Sequence, residues 1–211
     1  MRRDSAEQRS GEGPALARLA PAAVIVSGPP ASGKTTLATA LASALRYAII
    51  DLDTVTGPLT LNALQATAGD GNAIDSPGCT ALRAPRYETL LQVAAANLAV
   101  GMGVVIAAPF TAERSSPERL ESVVRLLRTV AALLYIDVPD DVVRSRLEAR
   151  NAARDQAKLS RAPAQACRAP LVPQAIVIDG TLDVGEQLAG ALDALGVQHD
   201  PHAALPQAAS C

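Results

Sequence analysis

Residues 28–35 read GPPASGKT, two glycines five positions apart followed at once by a lysine and a threonine, and few backbones accommodate that pattern. The apolar, β-branched run AAVIV precedes it. The segment TLATALASAL follows, with Leu37, Leu41 and Leu45 spaced i, i+4. The first reads as a short buried parallel strand and the second as an amphipathic helix, so the order is strand, loop, helix. Gly28 and Gly33 permit turns that a Cβ would block and leave successive N–H groups facing one concavity. A helix opening near Gly33 adds about half a positive charge at its N-terminus, which suits a phosphate. In G-x-x-x-x-G-K-[ST] loops the lysine reaches the β- and γ-phosphates of a nucleotide and the hydroxyl ligates Mg²⁺, roles that fall to Lys34 and Thr35. The loop from Gly28 through Pro29, Pro30, Ala31 and Ser32 to Gly33 is therefore the candidate nucleotide cradle. Pro29 and Pro30 stiffen it and remove two donors.

The same strand-then-helix rhythm continues. Tyr47–Ile50 is a second apolar run, ending in the sequence DLD, and reads as a parallel strand with Asp51 and Asp53 at its carboxyl end. In an open α/β sheet that end is where ligands sit. Two residues apart on one strand, both carboxylates face the same way. The segment 54–86 is dense in breakers (Gly57, Pro58, Gly69, Gly71, Pro77, Gly78, Pro85) between two weakly helical pieces, as expected of a stretch folded over the sheet. A helix over 85–99 leads to VVIAA, the third strand. Ser115 and Ser116 before Pro117 cap a helix to about Thr129. ALLYI is the fourth strand, ending at Asp137; no Glu follows that Asp, and it reads as a strand end. From Asp140 an arginine-rich helix is expected to run toward Arg161. Ala175–Ile178 is the fifth strand, and DGTLDV opens a last helix to about Leu195. Five βα units predict a three-layer α/β/α sandwich with right-handed crossovers. Residues 1–20 lack periodicity and are expected to be a disordered leader, residues 21–196 one domain, and 197–211 a frayed tail.

Composition closes off several function classes. A net charge of −2 argues against an electrostatic sink for nucleic acid, and aromatics at 2% leave no stacking platform for bases. Three cysteines without C-x-x-C spacing suggest neither a disulfide framework nor a zinc site, which fits a reducing cytoplasm. The polar, charged N-terminus has no secretory core, and no run approaches the roughly 18 apolar residues that span a bilayer. His199 and His202 read as solvated, and no base lies near Cys79 or Cys167 in sequence.

With GPPASGKT, the DLD and the arginine-rich RLEARNAARD placed, the chain resembles the P-loop kinases of small molecules: shikimate, gluconate and adenylate kinases and chloramphenicol phosphotransferase. It is also similar to AAA-family ATP-binding proteins and zeta-toxin-like kinases. The likeness extends from Ala22 to Leu195. It implies a five-stranded parallel sheet in the order 2-3-1-4-5, a small helical lid over 146–170, and ATP with Mg²⁺. Carried over, Gly28, Gly33, Lys34, Thr35 and Thr36 lie on the phosphate loop. Asp51 and Asp53 match a D-x-D that handles magnesium water and the acceptor hydroxyl. Arg146 and Arg150 match an R-x-x-x-R at the start of a lid, the first near adenine and the second on transferring phosphate. Gly180 and Thr181 fall on the loop that wraps the base. The segment 54–86 matches no acceptor signature of the family, and the acceptor does not transfer.

Lys34, Asp53 and Arg150 are thus the candidate catalytic residues, and Thr35 with Asp51 the candidate metal ligands. Asp53, Arg83, Arg86, Tyr87 and Arg154 are the candidate acceptor contacts. Bland readings stand beside these. Asp53 could cap a turn, Asp51 could form a surface ion pair, and the arginines could be a solvated helix end. The leading expectation is transfer of a γ-phosphoryl to a small-molecule hydroxyl. Its rivals are an NTP hydrolase or regulator, and a toxin-like kinase of a nucleotide-sugar.

Overall fold

The computed structural model describes residues 20–68, 77–150 and 171–197. Five parallel strands, β1 (Ala23–Ser27), β2 (Ala48–Asp51), β3 (Val104–Ala107), β4 (Ala131–Asp137) and β5 (Ile176–Asp179), form one sheet in the order β2-β3-β1-β4-β5. Six helices are described: α1 (Lys34–Leu45), α2 (Leu52–Ala68), α3 (Pro77–Ala99), α4 (Pro117–Leu127), α5 (Asp140–Arg150) and α6 (Val184–Ala194). Both the α/β class and the strand order match the expectation.

β1 shows why the central strands carry an unbroken apolar run. Ala23 and Ile25 enter a core shared with Leu90, Leu91 and Ala94 of α3 and Leu120, Val123 and Leu127 of α4. Val24 and Val26 enter the opposite core, with Leu37, Ala38 and Leu41 of α1 and Leu188, Ala191 and Leu192 of α6. A strand covered on both faces has no polar side to alternate with. With few aromatics available, these cores are filled by Val, Ile, Leu and Ala.

The helix ends follow local chemistry. Ser116 accepts from the Arg119 N–H ahead of Pro117, and Asp183 with Glu186 forms a complete capping box on α6. The segment after β2 differs from its sequence reading. Despite Pro58 and Pro85, residues 52–68 and 77–99 are two helices packed on each other. Each proline lacks one N–H, yet packing between α2 and α3 outweighs a cost of about 3 kcal/mol apiece. Strand β2 also ends at Asp51, so Asp53 stands in the first turn of α2. The shared-face inference for Asp51 and Asp53 is thereby corrected: helical geometry separates the two directions. The expected leader, tail and all of the lid beyond Arg150, Arg154 included, lie outside the described residues, and α5 is described only to Arg150.

Candidate functional site

The loop between β1 and α1 turns through two glycines for different reasons. At Gly28 a Cβ would meet Ser32 Oγ at 2.7 Å and the Ile136 carbonyl oxygen at 3.0 Å, so space forbids a side chain. At Gly33 nothing lies within 4 Å, but φ is +95°, a left-handed conformation that costs other residues strain. Gly33 is the residue just before α1, which has no side-chain cap of its own. Orphan N–H groups at the start of α1 therefore remain for an anion. Ala31 also adopts φ +56°, a strained choice for a residue with a Cβ. Ser32 Oγ is fully buried and makes no hydrogen bond. Lys34 Nζ donates to the Pro29 carbonyl at 2.6 Å, folding back over its own loop. Pro30, Thr35 and Thr36 are exposed.

Asp51 meets this loop from the neighbouring β2. Its Oδ2 accepts from the Thr35 hydroxyl at 3.0 Å. Its Oδ1 accepts from the Thr54 N–H at 2.9 Å and the Thr54 hydroxyl at 3.1 Å, capping α2. The capping role expected of Asp53 thus falls to Asp51, which forms no ion pair among the described residues. Hydroxyl and carboxylate oxygens together are the donor set that Mg²⁺ takes beside phosphate. Among the described residues no cluster of three or more His, Cys, Asp or Glu side chains could hold a metal by itself.

Beyond Asp51 the residues expected to meet an acceptor are tied together by side chains. Arg86 Nη2 donates to Asp53 Oδ1 at 2.7 Å and its Nε to the Thr56 hydroxyl at 2.9 Å. Arg83, one helical turn earlier on α3, donates to Glu113 at 3.2 Å and lies 4.4 Å over the Tyr87 ring. Tyr87 is buried, packs edge-on against Phe110 at 5.3 Å, and its hydroxyl accepts from the Phe110 N–H at 3.0 Å. Burial pushes this phenol above its ordinary range, the hydrogen bond from Phe110 opposing. Tyr87 accordingly holds Arg83 and the β3–α4 loop in place. Phe110 itself sits at φ +43°. Glu113 and Arg114 carried no pattern in the sequence that singled them out. Arg114 is buried with its guanidinium 4.7 Å over the Tyr135 ring, and its carbonyl accepts from the Val172 N–H at 2.8 Å. Only the apolar-strand-then-helix setting of that loop pointed toward it.

On the far side of the phosphate loop, Arg146 Nη2 donates to the Gly180 carbonyl at 2.9 Å. Arg146, expected near adenine at the start of the lid, is thus brought to Gly180, expected with Thr181 on the base loop. Gly180 is required by space, because a Cβ would overlap Val138 and Ile136. Thr181 donates through N–H and hydroxyl to Asp179 Oδ1, at 2.8 Å and 2.6 Å. The Thr181 hydroxyl above all, then its N–H, holds the Asp179 carboxyl below its usual range. Asp137 is exposed at the end of β4, where its carbonyl accepts from Gly180 N–H at 2.7 Å. Arg150 closes α5, and its side chain lies outside the description, as does Arg154.

A family model described as an AAA domain matches residues 24–171. Among curated proteins there is no match. Solved structures align over most of the chain. A protein from Chloroflexus aurantiacus is 24% identical, with 84% of this chain and 97% of that one covered at a TM-score of 0.57. A shikimate kinase from Bacteroides thetaiotaomicron is 21% identical, with 83% and 98% covered at 0.56. A sugar kinase from Janibacter is 20% identical, with 84% and 98% covered at 0.56. These likenesses are ones of fold.

Proposed function

Because the chain belongs to the AAA domain family and has the P-loop kinase fold, we propose that it transfers the γ-phosphoryl of ATP to the hydroxyl of a small molecule. The observation that carries this reading is the Asp51–Thr35 contact at 3.0 Å, with Asp53 two residues further on in the first turn of α2. A hydroxyl-plus-carboxylate metal position with a second carboxylate beyond it supplies what phosphoryl transfer asks of a protein: position and charge.

The Gly28–Thr36 loop and the α1 N-terminus would hold the phosphates, with Lys34 leaving the Pro29 carbonyl for the β- and γ-oxygens. Thr35 and Asp51 would hold Mg²⁺, which supplies neutralisation of phosphate charge when bound. Arg146, Gly180 and Thr181 are proposed to face the base, and Arg150 and Arg154 the phosphates and acceptor. Asp53 would orient the acceptor hydroxyl and take its proton as the new O–P bond forms and the γ-phosphorus separates from the bridging oxygen of departing ADP. A reading as a regulatory NTPase gives Asp53 and its Arg86 partner no task. A soluble cytoplasmic setting, small-molecule partners and independence of nucleic acid belong to this proposal; no helix among the described residues is long and apolar enough to cross a membrane.

The test is ³²P transfer from ATP to a panel of hydroxyl compounds, with Asp53→Asn as the comparison. That variant is expected to lose about 10² to 10⁴ in kcat, with ATP affinity little changed. Transfer undiminished in Asp53→Asn would remove Asp53 from the chemistry and turn attention to Asp51.

A further inference from the structure

Asp51 and Asp53 differ in what their carboxylates have left to offer. Both oxygens of Asp51 are taken, Oδ2 by the Thr35 hydroxyl and Oδ1 by Thr54. Asp53 is bound through Oδ1, by Arg86 Nη2 at 2.7 Å, and among the described residues its Oδ2 meets no donor. The pair is lopsided: the Asp53 side chain is 67% exposed and that of Arg86 13%. An aspartate so open to water has two side-chain torsions to explore unless something holds it. Arg86 is itself held. Its Nε donates to the Thr56 hydroxyl at 2.9 Å, and that hydroxyl, on a buried residue, gives its one proton to the Leu52 carbonyl at 2.6 Å. With the proton committed, Thr56 can only accept from Arg86, so every link from the α2 backbone to Asp53 Oδ1 runs in one direction. An ion pair with so exposed a member adds little to stability. A reacting group displaced by about 1 Å, in contrast, can cost about 10² in rate. Orientation of the carboxylate is therefore the larger consequence of this brace.

We infer that Arg86 is a positioning residue of the transfer: it fixes Asp53 Oδ1 so that Oδ2 is presented to the acceptor hydroxyl, and it acts on the rate through Asp53 instead of by binding the acceptor. This rests on the kinase reading above and adds the residue that orients its carboxylate. In the step so arranged, the acceptor oxygen bonds to the γ-phosphorus, its proton passes to Asp53 Oδ2, and the electron pair of the broken P–O bond leaves with ADP. Arg86 Nη1 takes part in neither bond, and a direct hold on the acceptor would have to run through it.

The test is a double-mutant cycle on turnover, with γ-labelled ATP as donor and, as acceptor, the compound of the hydroxyl panel that takes up label fastest. Arg86→Gln is expected to lower kcat about ten- to a hundredfold, with KM for that compound and the ATP-induced rise in Tm little changed. Arg86→Lys keeps the charge but cannot reach Asp53 and Thr56 together, and should recover part of the loss. In an Asp53→Ala background, Arg86→Gln should lower kcat no further, because the group it orients is gone. Unchanged kcat in Arg86→Gln overturns the inference and leaves the kinase reading standing. So does a raised KM with kcat kept, or a full further loss in the double variant, since either makes Arg86 a contact of the acceptor in its own right. If Arg86→Gln does not fold, Arg86→Lys with and without Asp53 decides the same question. Label passing from the unaltered protein to no compound of the panel, with ATP still raising Tm, would sink the kinase reading and this inference with it.

Discussion

The two halves of the site are made of different materials. On the nucleotide side, geometry resides in the backbone: Gly28 is fixed by lack of space, Gly33 by its left-handed φ, and the helix start supplies the donors. On the side proposed for the acceptor it resides in side chains that find each other across the chain, Asp53 with Arg86 and Glu113 with Arg83. A backbone cradle serves one ligand feature, a phosphate, and tolerates little change. A side-chain frame specifies its ligand by charge, and its members are coupled in pairs. The first should therefore respond to glycine and lysine substitutions in nucleotide binding, and the second to charge substitutions in turnover.

The largest effect expected is at Lys34. Removing its ammonium in Lys34→Ala should shrink or abolish the stabilisation that ATP with Mg²⁺ confers, about 2.7 kcal/mol at 100 times the dissociation constant, read as a rise in Tm. If millimolar ATP with Mg²⁺ leaves the Tm of the unaltered protein where it was, the cradle itself is misassigned. Next, Gly28→Ala drives a Cβ against a backbone carbonyl 3.0 Å away and should cost about 1 to 3 kcal/mol in urea unfolding. Gly33→Ala, with open space but φ +95°, should cost about 1 to 2 kcal/mol from backbone strain alone. Equal tolerance of alanine at both would contradict a cradle shaped by the main chain.

Tyr87→Phe comes third. It strands the buried Phe110 N–H and should cost about 1 to 3 kcal/mol. In the unaltered protein burial raises the phenol's folded pKa against the opposing Phe110 hydrogen bond, so the stability linked to keeping the phenol protonated is complete below the unfolded value near 10 and is lost as pH climbs through the folded one. Tyr87→Phe should flatten that alkaline decline; an unchanged decline would assign it elsewhere. The smallest effect is the Asp53–Arg86 coupling in a double-mutant cycle on stability. With Asp53 two-thirds exposed it should come to less than about 1 kcal/mol, however large the effect on turnover. A coupling of several kcal/mol would make the pair a structural rivet and weaken its role toward the acceptor.

The contrast in materials also explains what was legible in the sequence. The strands, their order as implied by the family likeness, and the phosphate loop were readable because each is a local pattern: an apolar run, a glycine spacing, a cap. Arg146 beside Gly180 was readable only through that likeness, since 34 positions separate them. The helices over 52–68 and 77–99 were obscured by Pro58 and Pro85, whose local message of breakage is overridden by packing that no window of sequence contains. Asp53 was expected on a strand because the DLD looked like one continuous edge, whereas Asp51 caps α2 and starts the helix one residue sooner. Glu113 and Arg114 were illegible because their meaning lies in Arg83 and Tyr135, partners brought near by the fold alone.

The ion pairs of the acceptor side join positions 33 and 30 residues apart. That separation bears on how such a chain drifts between substrates in the course of descent. A single codon change at Arg83, Arg86, Asp53 or Glu113 leaves an opposite charge without its counterpart. Two distant codons must change together, or one must be buffered first by stability held elsewhere. On the proposed kinase reading, acceptor choice is thereby sheltered from one-step mutation, while the phosphate loop, encoded in eight adjacent residues, can pass intact to descendants with another acceptor.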